Sequence, residues 1–322
     1  MFLNMSIKGD DSMSFTSEVK NEVSKLDTMN LENVTELSAI CRNIAVVNDK
    51  SIKITTENAS VARRIFNLIK ENYLITCKAT VRRGYNFNKN YIYILEVTSK
   101  IKEMVEDLNL NKTVPDEYIY ADESLKRAYI RGLFLSCGSI NDPKKSRYHL
   151  EFLVDNLEYA NFVMNLLNEY YLNSKVLRRE NKYMIYMKEA EKIGDFLRIL
   201  ETKKALFYYE DIRIYRDHKN MTNRLNNCEQ ANVDKMIETA TNQVNDIKLI
   251  QEKDALELLD DKVKEVATYR LKYPEASLLE LSEIISIETG IKITKSGLYH
   301  RMNKIKDLAN KIKEKEDKLK KL

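Results

Sequence analysis

A repeat limits this chain more than any other feature of its sequence. Residues 52–76 (IKITTENASVARRIFNLIKENYLIT) lie over residues 150–174 (LEFLVDNLEYANFVMNLLNEYYLNS) at a constant offset of 98. Seven of the 25 positions are identical without a gap, including Asn58/Asn156, Ala62/Ala160, Asn67/Asn165, Tyr73/Tyr171 and Leu74/Leu172. Ile65, Leu68 and Ile69 fall on Val163, Leu166 and Leu167, so one amphipathic helical face is written twice. The density of matches points to duplication, with two pseudo-symmetric halves sharing one antiparallel sheet.

The flanks repeat too. An alternating strand precedes each copy (51–55; 148–154), and a strand pair follows (77–84 with 90–97; 174–180 with 182–187). A short helix closes each unit (99–109; 189–200), and another opens it (37–47; 125–140). The pattern is αββαββα, made twice. Val114-Pro115-Asp116 divides the copies, because proline disfavours helix. This gives a first half at 13–113 and a second at 114–201. Residues 1–12 read as a disordered extension, with Met13 as an alternative start.

Strand patterns stop beyond Glu201. Seven Gly and three Pro in 322 residues favour long helices. Residues 202–260 read as a helical connector, not a flexible linker, with Val233, Ile237, Val244 and Ile247 on one side of a helix over 231–250. Residues 261–322 form the last expected domain. The net charge of +4 is uneven: residues 262–322 carry +6 and the other 261 residues carry −2. Basic character therefore sits where a phosphate-binding surface would need it.

This end reads as a helix-turn-helix. Ser277-Leu278-Leu279-Glu280 matches a capping box, and Leu278, Leu281, Ile284 and Ile285 supply the buried stripe behind it. A turn with Gly290 follows, and a second helix starts near Thr294 or Lys295. Leu298, Met302, Ile305 and Ala309 face inward at i, i+4, i+7 and i+11. The candidate DNA-contacting residues are Ser277, Lys292, Thr294, Lys295, Ser296, Tyr299, His300, Arg301, Asn303 and Lys306. They are donors concentrated where a recognition helix enters the major groove. Each alone reads equally well as a solvated surface residue. His149 and His218 have no ligand spacing with His300, so no metal is expected there.

Cys41, Cys77, Cys137 and Cys228 are scattered, with no CxxC spacing. With no secretory signal and no apolar run near the ~20 residues of a membrane span, the reading is a cytoplasmic protein with reduced thiols.

Four ordered stretches resemble the WhiA family of bacterial sporulation and cell-division regulators: Ser14–Glu22 (SFTSEVKNE), Arg127–Pro143 (RAYIRGLFLSCGSINDP), Asn223–Asn232 (NRLNNCEQAN) and Lys295–Met302 (KSGLYHRM). The resemblance covers essentially everything from Met13 onward. It implies an α+β chain in which a degenerate, duplicated LAGLIDADG homing-endonuclease-like domain precedes an all-α helix-turn-helix domain. In active nucleases of that superfamily, small residues pack the two motif helices, and an acidic residue at each end holds a divalent metal. Gly132 and Ser136 keep the small-residue character. Cys137, before Gly138, and Ile44, in the first motif, stand where acids are expected. Neither ligates Mg²⁺ as a carboxylate would, so no cleavage, metal or cofactor is expected. Asp142 is the nearest carboxylate downstream of the second motif, but the first half would need its own, and Asp49 lies in a loop. The first motif, CRNIAVV, also lacks the glycine common there.

The resemblance implies a second face on the repeat hairpins, Lys78, Arg82, Arg83, Arg178, Arg179 and Lys182, that meets DNA or a partner protein. A solvated sheet face is the competing reading. The function expected is a non-enzymatic, sequence-specific DNA-binding regulator in cell division, chromosome segregation and sporulation. It would act as a nucleoid-associated monomer on double-stranded DNA, with a co-regulator protein as a candidate partner. The alternatives are a metal-dependent homing endonuclease and a structural division protein whose DNA binding is incidental.

Overall fold

The computed structural model describes residues 13–83 and 91–319, and the extension expected at 1–12 lies outside the described residues. The chain divides into two units, Met1–Asp217 and His218–Leu322.

In the first unit, α1 (Phe15–Val23) precedes two copies of one motif. The first copy is α2 (Asn30–Ile44), β1 (Ala45–Asn48), β2 (Ser51–Thr56), α3 (Ala59–Tyr73), β3 (Lys78–Arg83), β4 (Tyr91–Val97) and α4 (Ile101–Asp107). The second is α5 (Glu123–Cys137), β5 (Gly138–Ile140), β6 (Leu150–Val154), α6 (Leu157–Asn168), β7 (Lys175–Arg179), β8 (Lys182–Met187) and α7 (Ala190–Ile199). Both are αββαββα. Their sheets are antiparallel, ordered β1-β2-β4-β3 and β5-β6-β8-β7.

One sheet shared by both halves was the expectation; there are two four-stranded sheets, one per half. The halves meet instead along α2 and α5. Gly132 lets these helices touch: a methyl group there would collide with the Glu36 carbonyl oxygen and lie 2.9 Å from Ala39 Cβ. Glu36 is fully buried and spans the seam. Arg64 of α3 binds it through two hydrogen bonds of 2.6 and 2.8 Å, and Arg131 of α5 approaches to 3.6 Å. Arg131 also donates to Glu32 at 2.7 Å. A buried carboxylate persists because two guanidiniums face it.

The opening helices end earlier than their hydrophobic pattern suggests, as β1 begins at Ala45 and β5 at Gly138. The repeated asparagines are helix caps: Asn58 accepts from Ser60 and Val61 amides at 2.8 and 3.0 Å, and Asn156 from Glu158 and Tyr159 amides at 2.7 and 3.2 Å. The ungapped alignment fails at its end. Leu74 takes the left-handed conformation (φ 56°) in the first copy, whereas Tyr171 does so in the second (φ 57°). Tyr73 and Leu172 are buried while Leu74 and Tyr171 are exposed, so the true offset there is one residue shorter and these two identities are not equivalent positions.

The helix α8 (Lys203–Glu252) is one continuous run of 50 residues. Of the stripe expected on 231–250, Val233 and Ile237 are exposed and Ile247 is buried. In the second unit, Ile247 and Ile250 join the core of α9 (Asp261–Lys272), α10 (Leu278–Thr289) and α11 (Lys295–Leu319).

Gly132→Val forces the seam apart. Urea unfolding of this variant is expected to show a loss of about 3 kcal/mol, from overpacking at a backbone contact.

Candidate nucleic-acid interface

The second unit builds its polar face from local rules. Ser277 Oγ accepts from the Glu280 amide at 3.2 Å, and Glu280 Oε2 accepts from the Ser277 amide at 2.7 Å, completing the capping box. These bonds hold the Glu280 carboxyl below its usual range. Leu281 and Ile285 are buried, while Leu278 and Ile284 are half-buried. Gly290, at φ 71°, reverses the chain after α10. Ser286 Oγ then accepts from the Ile293 amide at 2.9 Å and fixes the turn. Thr294 Oγ1 accepts from the Gly297 amide at 3.1 Å and caps α11. Ser277 and Thr294 thus spend their oxygens on folding.

Leu298, Met302, Ile305 and Ala309 are buried, as their spacing requires. Lys292, Lys295, Ser296, Tyr299, His300 and Lys306 are exposed, and Arg301 and Asn303 are half-buried at the edge of the core. The Tyr299 and His300 rings lie 6.1 Å apart. Lys295, Tyr299 and Lys306 follow helical spacing along one side, with Ser296 and His300 beside them. The first turn of α11 presents the positive end of the helix dipole with this face, an arrangement that attracts phosphate. Lys304 of α11, which pattern reading passed over, donates to Asp260 at 2.9 Å and lowers that carboxyl's pKa. Its charge is answered within the domain.

The ends of the two motif helices lie in the first unit. Ile44 is the last residue of α2 and half-buried. Ser136 Oγ donates to the carbonyls of Gly132 and Leu133 at 2.8 and 3.0 Å. Cys137 Sγ donates to Leu133 O at 3.4 Å, and burial pushes its thiol up to about 12. Gly138 starts β5 pressed against Phe134, leaving no room for a side chain. Lys20 of α1 also reaches this region, 5.7 Å from the Phe134 ring, and burial lowers its ammonium to about 8. No spacing in the sequence links Lys20 with Cys137, since only the packing of α1 brings them together. Asp142 is held in its loop by Tyr208 Oη at 3.0 Å and the Lys144 amide at 2.9 Å. Among the described residues, no three His, Cys, Asp or Glu side chains are grouped to hold a metal ion.

The six hairpin cations are all exposed but do not share one face. Arg83 pairs in register with Tyr91 and Arg178 with Tyr183, one residue out of step with Lys78 and Arg82, and with Arg179 and Lys182. Successive strand residues point oppositely, so Arg83 and Arg178 turn toward the helix-covered side. Arg179 lies 3.8 Å from Glu151, and Lys182 lies 3.1 Å from Asp155. No helix among the described residues is long and apolar enough to cross a membrane.

Comparison with known proteins matches three consecutive stretches. The WhiA N-terminal LAGLIDADG-like domain matches residues 30–111, the WhiA LAGLIDADG-like domain 126–219, and the WhiA C-terminal HTH domain 222–309. A protein of Oceanobacillus iheyensis named "Probable cell division protein WhiA" is 41% identical over 312 residues, 94% of this chain and 98% of that protein. A Staphylococcus aureus (strain USA300) protein of the same name is 41% identical over 310 residues, with the same coverage. Full-length DUF199/WhiA from Thermatoga maritima, a crystal structure, is 25% identical with a TM-score of 0.57, covering 93% of this chain and 99% of that one.

Thiol labelling checks the half-buried, protonated state of the thiol at the motif end. With iodoacetamide at mildly alkaline pH, exposed Cys228 is expected to react in the folded protein while Cys41 and Cys137 do not. With thiols at about 12, both stay protonated across the neutral range. Peptide mass spectrometry showing early Cys137 modification would contradict this geometry.

Proposed function

This chain belongs to the WhiA family, and from that premise we propose that it is a non-enzymatic, sequence-specific DNA-binding regulator of cell division. The observation that carries the reading is the first turn of α11, where Lys295, Ser296, Tyr299 and His300 stand exposed on a capped helix above a buried core. Placed in the major groove, Lys295 and Lys306 neutralise phosphates, while Tyr299, His300 and Asn303 reach base edges. Arg301, half-buried beside the core, and Lys292, in the turn, flank the groove at its phosphates. Ser277 and Thr294 contribute by fixing the two helix starts. The expected roles are control of transcription in division, chromosome segregation and sporulation, with the nucleoid as the place of action.

Absence of cleavage follows from side-chain chemistry. Ile44 carries no donor, and Cys137 is a protonated thiol bonded to its own helix. Two-metal phosphodiester hydrolysis needs oxygen donors at both helix ends. The sheets serve as scaffold or as a surface for DNA or a co-regulator, with Lys78, Arg82, Arg179 and Lys182 on the side away from the helices.

Lys295→Ala with His300→Ala is expected to weaken binding to a family operator by at least about tenfold and to lower the salt slope by about one, measured by fluorescence anisotropy across ionic strengths. Plasmid carrying the bound site should stay intact in Mg²⁺. Unchanged affinity in the double variant would refute the recognition helix, and a site-specific cut would refute the non-enzymatic reading.

A further inference from the structure

Helix α1 breaks the pseudo-symmetry of the first unit. It packs across α3, α5 and β5. Thr16 Oγ1 donates to the Ile140 carbonyl at 2.8 Å and accepts from the Ile140 amide at 2.9 Å, and Asn21 Oδ1 accepts from Asn58 at 3.2 Å. Matching the ladders of the two halves places Ile140 on Val47, because Gly138 pairs with Phe152 as Ala45 pairs with Ile54. The repeat places Asn58 on Asn156. Val47 and Asn156 both line a cavity of about 470 Å³ between α2, β1, β6 and α6. That cavity is the counterpart of the groove that α1 fills, and among the described residues no second helix like α1 fills it.

We propose that this cavity binds a small phosphorylated molecule of nucleotide size, at a site separate from the DNA-reading helix. Its volume lies within the roughly 300–1,000 Å³ of small-molecule pockets. The lining argues against a helix resembling α1, which seats Phe15, Val19 and Val23 against its groove. Here Arg42, Asn43, Asn111, Lys112 and Lys182 are part of the lining, together with one carboxylate, Asp155. Lys182 is answered by Asp155 at 3.1 Å, and Lys112 by Asp116 at 2.7 Å. Arg42 makes no ion pair among the described residues, although its charge reaches Asp116 and, behind Lys112 and Asn109, helps to lower that carboxyl. Its guanidinium donates to the neutral carbonyls of Asn109 at 2.7 Å, Thr113 at 3.2 Å and Lys112, and lies 5.9 Å from the Tyr159 ring. Its Nε is buried without a hydrogen-bond partner. A fixed guanidinium held only by neutral carbonyls, at the wall of a cavity rich in amides, is suited to an anion.

Isothermal titration of the full chain with ADP, inorganic pyrophosphate and adenosine tests this. Binding of ADP at about 100 µM or tighter is expected, with weaker binding of pyrophosphate and none of adenosine. Arg42→Gln should weaken ADP at least about tenfold. Because Arg42 also ties down residues 109–113, Thr113→Trp provides a second variant: it blocks the cavity from its exposed rim and leaves every charge in place. It should abolish binding with the unfolding temperature preserved. Failure of both phosphate compounds to bind up to about 1 mM would overturn the proposal. So would ADP binding that survives Thr113→Trp unchanged, which would place the nucleotide elsewhere, such as on basic α11.

Discussion

The first unit depends on the contact between Gly132 and the backbone of Glu36. No residue larger than glycine lets α5 approach α2 this closely, and the approach brings Arg131 within reach of the carboxylates of Glu36 and Glu32. Once the helices are joined, each half hangs its own sheet on the seam, and neither sheet needs a ladder to the other. The helix ends that would hold a nuclease's acids fall at the same seam. There the chain presents an isoleucine and a half-buried thiol that stays protonated.

Much of this was legible in the sequence because it is local. The paired asparagines of the repeat cap two helices, the Ser277 and Glu280 pair forms its box, and the inward face of α11 follows its spacing. What was missed is non-local. Hydrophobic pattern cannot say whether two sheets join, so a shared sheet was expected where α2 and α5 make the join. Nor does it mark the change from helix to strand at Ala45 and Gly138, since the apolar run passes through both. The final two identities of the repeat mislead because the first copy reaches its left-handed residue at Leu74 and the second at Tyr171. The hairpin cations looked like one surface, yet strand alternation divides them.

At the interface, the sequence supplied the polar residues of α11 but not the division of labour among them. Ser277 and Thr294 are donors by composition and caps by structure, while Lys295, Tyr299 and His300 stay uncommitted to the fold. Lys20 and Arg42 were invisible to pattern reading, because their significance comes from burial and from the groups around them. The resulting picture is of a doubled scaffold and a separate helical unit in which a capped helix exposes polar side chains on its first turns.

Genome-wide occupancy of the full chain, compared with that of a chain ending at residue 260, tests the central claim most directly. The account predicts that the shortened chain, stably expressed, loses the site-specific pattern, because the selecting side chains begin after residue 290. Retention of the full pattern would contradict it and assign DNA selection to the doubled scaffold.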